Sequence, residues 1–223
     1  MTELTRGQIT DSVHDVGWRL ISRNIQCAVR VTSLAEAVRV AAAVTEAAGD
    51  ASAVSIDLRP HLVHVRLAAH AQFWPTAAEL DTARRVSAAV VELGLATSPG
   101  LDNNPVQALE VAIDALDIPT VLPFWAAVLG YIQVSDETII DPHWLGPSFW
   151  FQQMDEPRPQ RNRIHLDVLV PHDEARARID AALAAGGVLI NDSEAPAFWV
   201  LADPEGNEAC VCTWQGRDAS AET

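Results

Sequence analysis

The chain has 223 residues, with 15 basic and 30 acidic side chains for a net charge of −15, and 49% of its residues are hydrophobic. That apolar content can fill a packed core and excludes wholesale disorder, while the acidic balance excludes a nucleic-acid partner. No apolar run approaches the roughly 20 residues of a membrane span, so no membrane partner is expected.

Three cysteines, Cys27, Cys210 and Cys212, are too few for a disulfide framework. The first fifteen residues are polar and lack the apolar segment of a secretion signal. A cytoplasmic location is expected. All 15 basic residues are Arg, which with the abundant Ala and Val points to a GC-rich bacterial genome. The charge is uneven: residues 1–100 hold nine Arg against ten acids, and residues 101–223 hold six Arg against twenty. The shift falls at Thr97-Ser98-Pro99-Gly100-Leu101-Asp102-Asn103-Asn104-Pro105, which reads as a linker. Two domains are expected, over 1–98 and 106–216.

The first half reads as helix, two strands, helix, two strands, helix. Trp18–Asn24 and Ile25–Thr32 have strand character. Leu34, Val38, Ala41 and Ala48 recur at helical spacing, and Gly49 suits the position past a helix end. Ala53–Leu58 and His61–His70 form a hairpin. In its second strand Val63, Val65 and Leu67 share one face, and His64, Arg66 and His70 the other. Thr76 caps a last helix with Leu80, Ala83, Val86, Val90 and Leu93 as its apolar stripe. A four-stranded antiparallel sheet carrying three helices packs these parts most simply.

The second half repeats one pattern, strand–helix–strand–strand–strand. Copy one runs Leu109–Asp114, a helix over Thr120–Leu129 stopped by Gly130, then strands near Tyr131–Val134, Thr138–Ile140 and Ser148–Met154. Pro123 is expected in the first turn of that helix, where its missing N–H is harmless. Copy two runs Arg163–Val170, a helix over Asp173–Ala185 ended by Gly186-Gly187, then strands near Val188–Ile190, Ala197–Leu201 and Glu208–Trp214. The fold class is therefore α+β, its second part a pair of βαβββ modules that can enclose a cavity.

Asp117 with Pro-Phe-Trp-Ala-Ala-Val-Leu-Gly-Tyr (123–131), Asn162-Arg-Ile-His-Leu-Asp-Val (162–168) and Ala202-Asp-Pro-Glu-Gly-Asn-Glu-Ala-Cys (202–210) resemble the glyoxalase-like branch of the vicinal oxygen chelate superfamily, over 108–214. Trp18, the strand ending in His70, and Asp81 resemble, more faintly, the pterin-4a-carbinolamine dehydratases, over roughly 4–95. That family's signature has a His-His-Pro element and a third histidine. Here the His-His-Pro positions read Ser52-Ala53-Val54, so His70 is left as the one catalytic candidate. Proton transfer near neutral pH needs imidazoles, so this half is expected to keep the fold as a non-catalytic domain.

The glyoxalase-like resemblance implies a divalent metal held by one side chain from each of four strands, polarising vicinal substrate oxygens. Position by position, the ligands fall on Glu110, Gln152, His165 and Cys210, with Glu208 competing for the last place. A Glu/Gln/His/Cys set suits zinc. The other reading keeps Cys210 and Cys212 as small buried hydrophobes and His165 as a hydrogen-bonding wall residue. Trp150, Trp199, Arg163 and Asp167 are the candidates for holding substrate. Asp203-Pro-Glu-Gly-Asn reads as a turn with Gly206 at positive φ. The resemblances imply a homodimer with a small-molecule ligand and a lyase or isomerase activity. The alternatives are a non-catalytic binding or resistance protein, and a dehydratase with residual activity.

Overall fold

The computed structural model describes residues 4–21, 23–49, 54–68, 74–102, 104–157, 165–213 and 215–216. The chain divides into a unit of residues 1–108 and a unit of residues 109–223. No helix among the described residues is long and apolar enough to cross a membrane.

The first unit begins with α1 (Arg6–Val13), started by a reciprocal capping box between Thr5 and Gln8. Strands β1 (Arg19–Ile21) and β2 (Asn24–Arg30) follow, then α2 (Leu34–Ala48), the hairpin β3 (Val54–Arg59) and β4 (Leu62–Ala68), and α3 (Ala77–Glu92). The sheet order is β1-β2-β4-β3, antiparallel throughout. Alternation decides its faces: Ile25, Cys27 and Val29 on β2 and Val63, Val65 and Leu67 on β4 are fully buried with residues of the helices. Burial pushes the Cys27 thiol far above its ordinary range, so it packs as a hydrophobe.

Two expectations for this unit are corrected. The 97–105 stretch is not a bare linker: β5 (Thr97–Ser98) pairs with β2, and β6 (Gly100–Leu101) pairs with β7 (Asn104–Pro105). Thr97 belongs to the core network, because its hydroxyl meets Ser87 Oγ, which in turn accepts from the buried Trp18 Nε1 at 2.9 Å. The face of α2 is also turned from the expected stripe. Ala37, Val40, Val44 and Ala48 are buried, whereas Leu34 and Val38 are about half exposed at 52% and 54%. The sequence holds two apolar rows at helical spacing, and the row that starts with the small Ala37 lets the helix lie close to the sheet. On α3 the expected stripe is buried except Leu93, which follows the last helical residue as its C-cap.

The second unit is the repeat. The first module runs β8 (Glu110–Ala115), α4 (Ile118–Leu129), β9 (Ile132–Ser135), β10 (Thr138–Ile140) and β11 (Ser148–Gln153). The second runs β12 (Leu166–Leu169), α5 (Ala175–Ala184), β13 (Val188–Asn191), β14 (Phe198–Ala202) and β15 (Glu208–Cys212). The sheet orders match, β8-β11-β10-β9 and β12-β15-β14-β13. In each, the first and last strands pair in parallel, because a helix carries the chain back over the sheet before the hairpins. Phe124, Trp125 and Val128 of α4, Ile179 and Ala182 of α5, and Phe149, Phe151, Leu201 and Val211 of the strands form one core. A Cβ at Gly187 would run into the Phe124 ring, so the glycine there makes room for that packing.

Helix α4 starts earlier than its apolar pattern suggests. Asp117 caps it by accepting from the Thr120 N–H, Pro119 occupies the first turn, and Pro123 sits inside the helix. The expectation of Pro123 in the first turn is thus corrected: the cap lies two residues upstream, and the Pro119 carbonyl loses the N–H that residue 123 would have donated. The helix ends as expected, with Gly130 in the left-handed region at φ 71°.

Candidate functional site

Each module turns one sheet face to the shared core and leaves the other open. In the first module Val111, Ile113, Phe149 and Phe151 pack into the core. The open face therefore carries Glu110 beside Ser148, Ala112 beside Trp150, and Asp114 beside Gln152. Glu110 accepts a hydrogen bond from Ser148 Oγ at 2.9 Å. Trp150 remains 39% exposed, with the short side chains of Ala112 and Thr138 as its register neighbours.

In the second module Leu166, Trp199, Leu201, Ala209 and Val211 face the core. Asp167, Cys210 and Val200 stand side by side on the open face of β12, β15 and β14. His165 immediately precedes β12 and, two residues from Asp167, shares its side. Its Nε2 is 3.4 Å from Asp167 Oδ1, and both side chains are about half exposed. The ligand atoms of His165, Asp167 and Cys210 all lie within 4.8 Å of one another, with the cysteine buried. Burial, reinforced by the negative charge of Asp167, pushes the Cys210 thiol up to about 11. At neutral pH the cysteine is a thiol, and a bound cation would displace its proton.

This donor set fits a divalent cation. Imidazole, carboxylate and thiolate are zinc's usual ligands, and atoms sharing one tetrahedral ion stand roughly 3.5 Å apart, within small side-chain adjustments of the observed cluster. Three protein ligands leave a fourth position for water or substrate.

The sequence-derived site residues divide accordingly. His165 and Cys210 are brought together, and Asp167, assigned from sequence to substrate, joins them as a third donor. Glu208 lies on the same face two residues before Cys210, half-buried, and its charge helps raise the thiol. Glu110 and Gln152 share the other module's open face, but Gln152 lies four residues beyond the partner of Glu110, about 13 Å along the strand. They are not neighbours; the carboxylate beside Gln152 is Asp114, which the sequence reading missed and the parallel register reveals. Trp199 is corrected as a substrate contact: its parity on β14 turns it into the core. Arg163 and His70 lie outside the described residues, as do Ser52 and Ala53.

The turn at 203–207 holds the modules together. Asp203 is buried, and its carboxylate accepts from the N–H groups of Glu205 and Asn207 and from Asn207 Nδ2. It also accepts from Trp125 Nε1 of the first module at 2.9 Å. Glu205 in turn accepts from the Leu116 and Asp117 N–H groups at the start of α4. Gly206 adopts φ 86°, as the turn requires.

Residues 110–212 match the family described as "Glyoxalase-like domain". The chain is also similar to solved structures at low identity. A glyoxalase-related enzyme from Fulvimarina pelagi is 17% identical, over 49% of this chain and 88% of that one, with a TM-score of 0.36. A glyoxalase/bleomycin resistance protein/dioxygenase from Alicyclobacillus acidocaldarius is 16% identical, over 52% and 96%, with a TM-score of 0.36. A fosfomycin resistance protein, FosX, from Listeria monocytogenes, complexed with Mn(II) and 1S,2S-dihydroxypropylphosphonic acid, is 11% identical, over 48% and 90%, with a TM-score of 0.38. No curated protein matches.

Proposed function

We propose that the glyoxalase-like unit is a metal-dependent enzyme of the lyase or isomerase type acting on a small molecule, with His165, Asp167 and Cys210 holding one divalent cation, zinc first. The observation that carries this reading is the convergence of three unlike donors on one open sheet face. When bound, the cation would act as a Lewis acid on adjacent substrate oxygens. The chain's own residues supply the rest. Asp167 Oδ1 stands 3.4 Å from His165 Nε2, the spacing of two donors that would share one ion. Glu208, beside Cys210 on β15, is the carboxylate placed to take up a substrate proton. Elemental analysis of protein purified without chelator, followed by zinc titration, tests the reading. About one zinc per chain, lost in His165→Ala, supports it. Less than about a tenth of a metal per chain after zinc incubation removes it.

A second reading, a non-catalytic binder of a planar compound, is favoured by the half-exposed Trp150 with its short neighbours Ala112 and Thr138. It predicts ligand-induced quenching of Trp150 fluorescence without metal. The first unit, with its resemblance to pterin dehydratases, is read as non-catalytic, and the protein as a cytoplasmic homodimer. Turnover of a 4a-hydroxytetrahydropterin that vanishes in His70→Ala would overturn the first of these, and a monomer mass by light scattering the second.

A further inference from the structure

The three clustered donors of the second module differ in depth and in chemistry. His165 and Asp167 have side chains about half exposed, whereas Cys210 is 6% exposed. The sulfur therefore lies at the floor of the cluster, and the imidazole and carboxylate stand at its rim. Register puts Cys210 between Asp167 on β12 and Val200 on β14. Its thiol is hydrogen-bonded to the Asp167 carboxylate, so the sulfur already touches that donor. The row beyond is apolar, with Cys212 between Leu169 and Phe198.

Two neighbours on β15 could have filled the place of Cys210. Glu208 lies on the same face, two residues or about 7 Å before it along the strand. Among the described residues, the close group of ligand atoms is formed by His165, Asp167 and Cys210, without the Glu208 carboxylate. Cys212, two residues after, donates its S–H to the Cys210 carbonyl at 3.9 Å and also stands outside that group. With Glu208 in the place, the set would be one imidazole and two carboxylates, which suits oxygen-seeking ions such as manganese(II) and magnesium. With Cys210 the innermost donor is soft. Zinc, cobalt(II) and cadmium(II) bond strongly to thiolate, and manganese(II) and magnesium do not. An ion that cannot use the sulfur is left with two exposed rim donors.

Resting on the metal reading above, we propose that Cys210 is the specificity-determining residue of this site, which it makes a site for thiophilic divalent ions. Zinc, cobalt(II) and cadmium(II) use all three donors, whereas manganese(II) and magnesium are confined to His165 and Asp167. A preference for zinc over manganese is general among nitrogen, oxygen and sulfur sites. What belongs to this site is that the margin hangs on one sulfur.

The test takes the full chain, stripped with chelator, through equilibrium dialysis against zinc, cobalt(II) and manganese(II) separately, with the cobalt form also followed by absorption. The cobalt form should show the intense near-ultraviolet charge-transfer band of a cobalt–thiolate bond. That band should persist in Cys212→Ser and vanish in Cys210→Ser. Cys210→Ser should weaken zinc binding about 100-fold and change manganese binding less than about twofold, so that the zinc-to-manganese ratio falls about 50-fold. Cys210→Asp should lose the band and bind manganese at least about tenfold more tightly. Equal losses of zinc and manganese in Cys210→Ser, or cobalt bound to the unaltered chain without the band, overturn the selector and leave the metal reading standing. Failure of all three ions to bind removes both. If the Cys210 variants do not fold, the cobalt band of Cys212→Ser decides alone, since Cys27 is enclosed in the core of the first unit: its presence supports the selector and its absence overturns it.

Discussion

The two βαβββ modules share strand order and parallel closure, yet the same device carries different weight in each. Each module places an aspartate just after its third strand, Asp141 after β10 and Asp203 after β14. Both carboxylates gather the N–H groups of the turn that leads into the last strand. Asp141 takes those of His143, Leu145 and Gly146, each at 2.8 Å. Asp203 takes those of Glu205 and Asn207, and adds Trp125 from the other module. The helices differ as well: Asp117 caps α4, whereas α5 begins at Glu174 with no side-chain cap. A repeat can thus preserve a hydrogen-bonding device while burial decides what it holds together.

The largest expected effect separates the two aspartates. Asp203→Ala should cost about 3–4 kcal/mol in urea unfolding, because it strands a buried indole N–H along with the turn donors. Asp141→Ala, at a solvent-accessible turn, should cost less than half as much. Equal losses would show that the inter-module bond to Trp125 adds nothing.

Metal affinity asks whether the second module suffices as the centre. His165→Ala and Cys210→Ser should each weaken zinc binding about 100-fold, or about 2.7 kcal/mol by calorimetry. Glu110→Gln should change it less than twofold, roughly the noise of the measurement. A loss in Glu110→Gln matching that in His165→Ala would bring the first module into the site.

The helix caps give a smaller contrast. Asp117→Ala should destabilise by about 1 kcal/mol, while Glu174→Ala should fall within about 0.5 kcal/mol of zero.

The smallest effect is on pH. Burial acts to raise the Asp141 carboxyl, but the N–H groups of His143, Gly146 and Leu145 outweigh it and hold the group below its ordinary range. Its folded-state affinity for protons is therefore lower than in the unfolded chain. The contribution is complete above about pH 3.9, the unfolded value, and fades as pH falls through the lower folded one. Protection of the His143, Leu145 and Gly146 amides, taken relative to intrinsic exchange at each pH, should fall only in that acid window, and Asp141→Asn should abolish the dependence.

Much of this was legible in the chain itself. The repeat at 109–214, the alternation of Val63, Val65 and Leu67, the cap at Thr76 and the stop at Gly130 are local patterns, set by the periods of strand and helix. The resemblance also named His165 and Cys210 among its candidate ligands, and the structure brings those two side chains together. The orientation of α2 was not legible, because Leu34/Val38 and Ala37/Val40/Val44 are both valid helical rows and the sheet chooses between them. Trp199 was misplaced for the same reason: its parity is defined only once β14 is registered against β15.

What the sequence by itself determined is therefore what depends on spacing along one segment: the elements, their order, and the types of donor available at 165, 167 and 210. The tertiary structure alone decided which donors meet. The parallel register of β12 with β15 sets Asp167 beside Cys210, and that of β8 with β11 sets Asp114, not Glu110, beside Gln152. A slip of one residue in either pairing turns every side chain of the strand to the opposite face. Burying Val111, Ile113, Leu166 and Val211 against the helices is what holds each register in place, and with it the site.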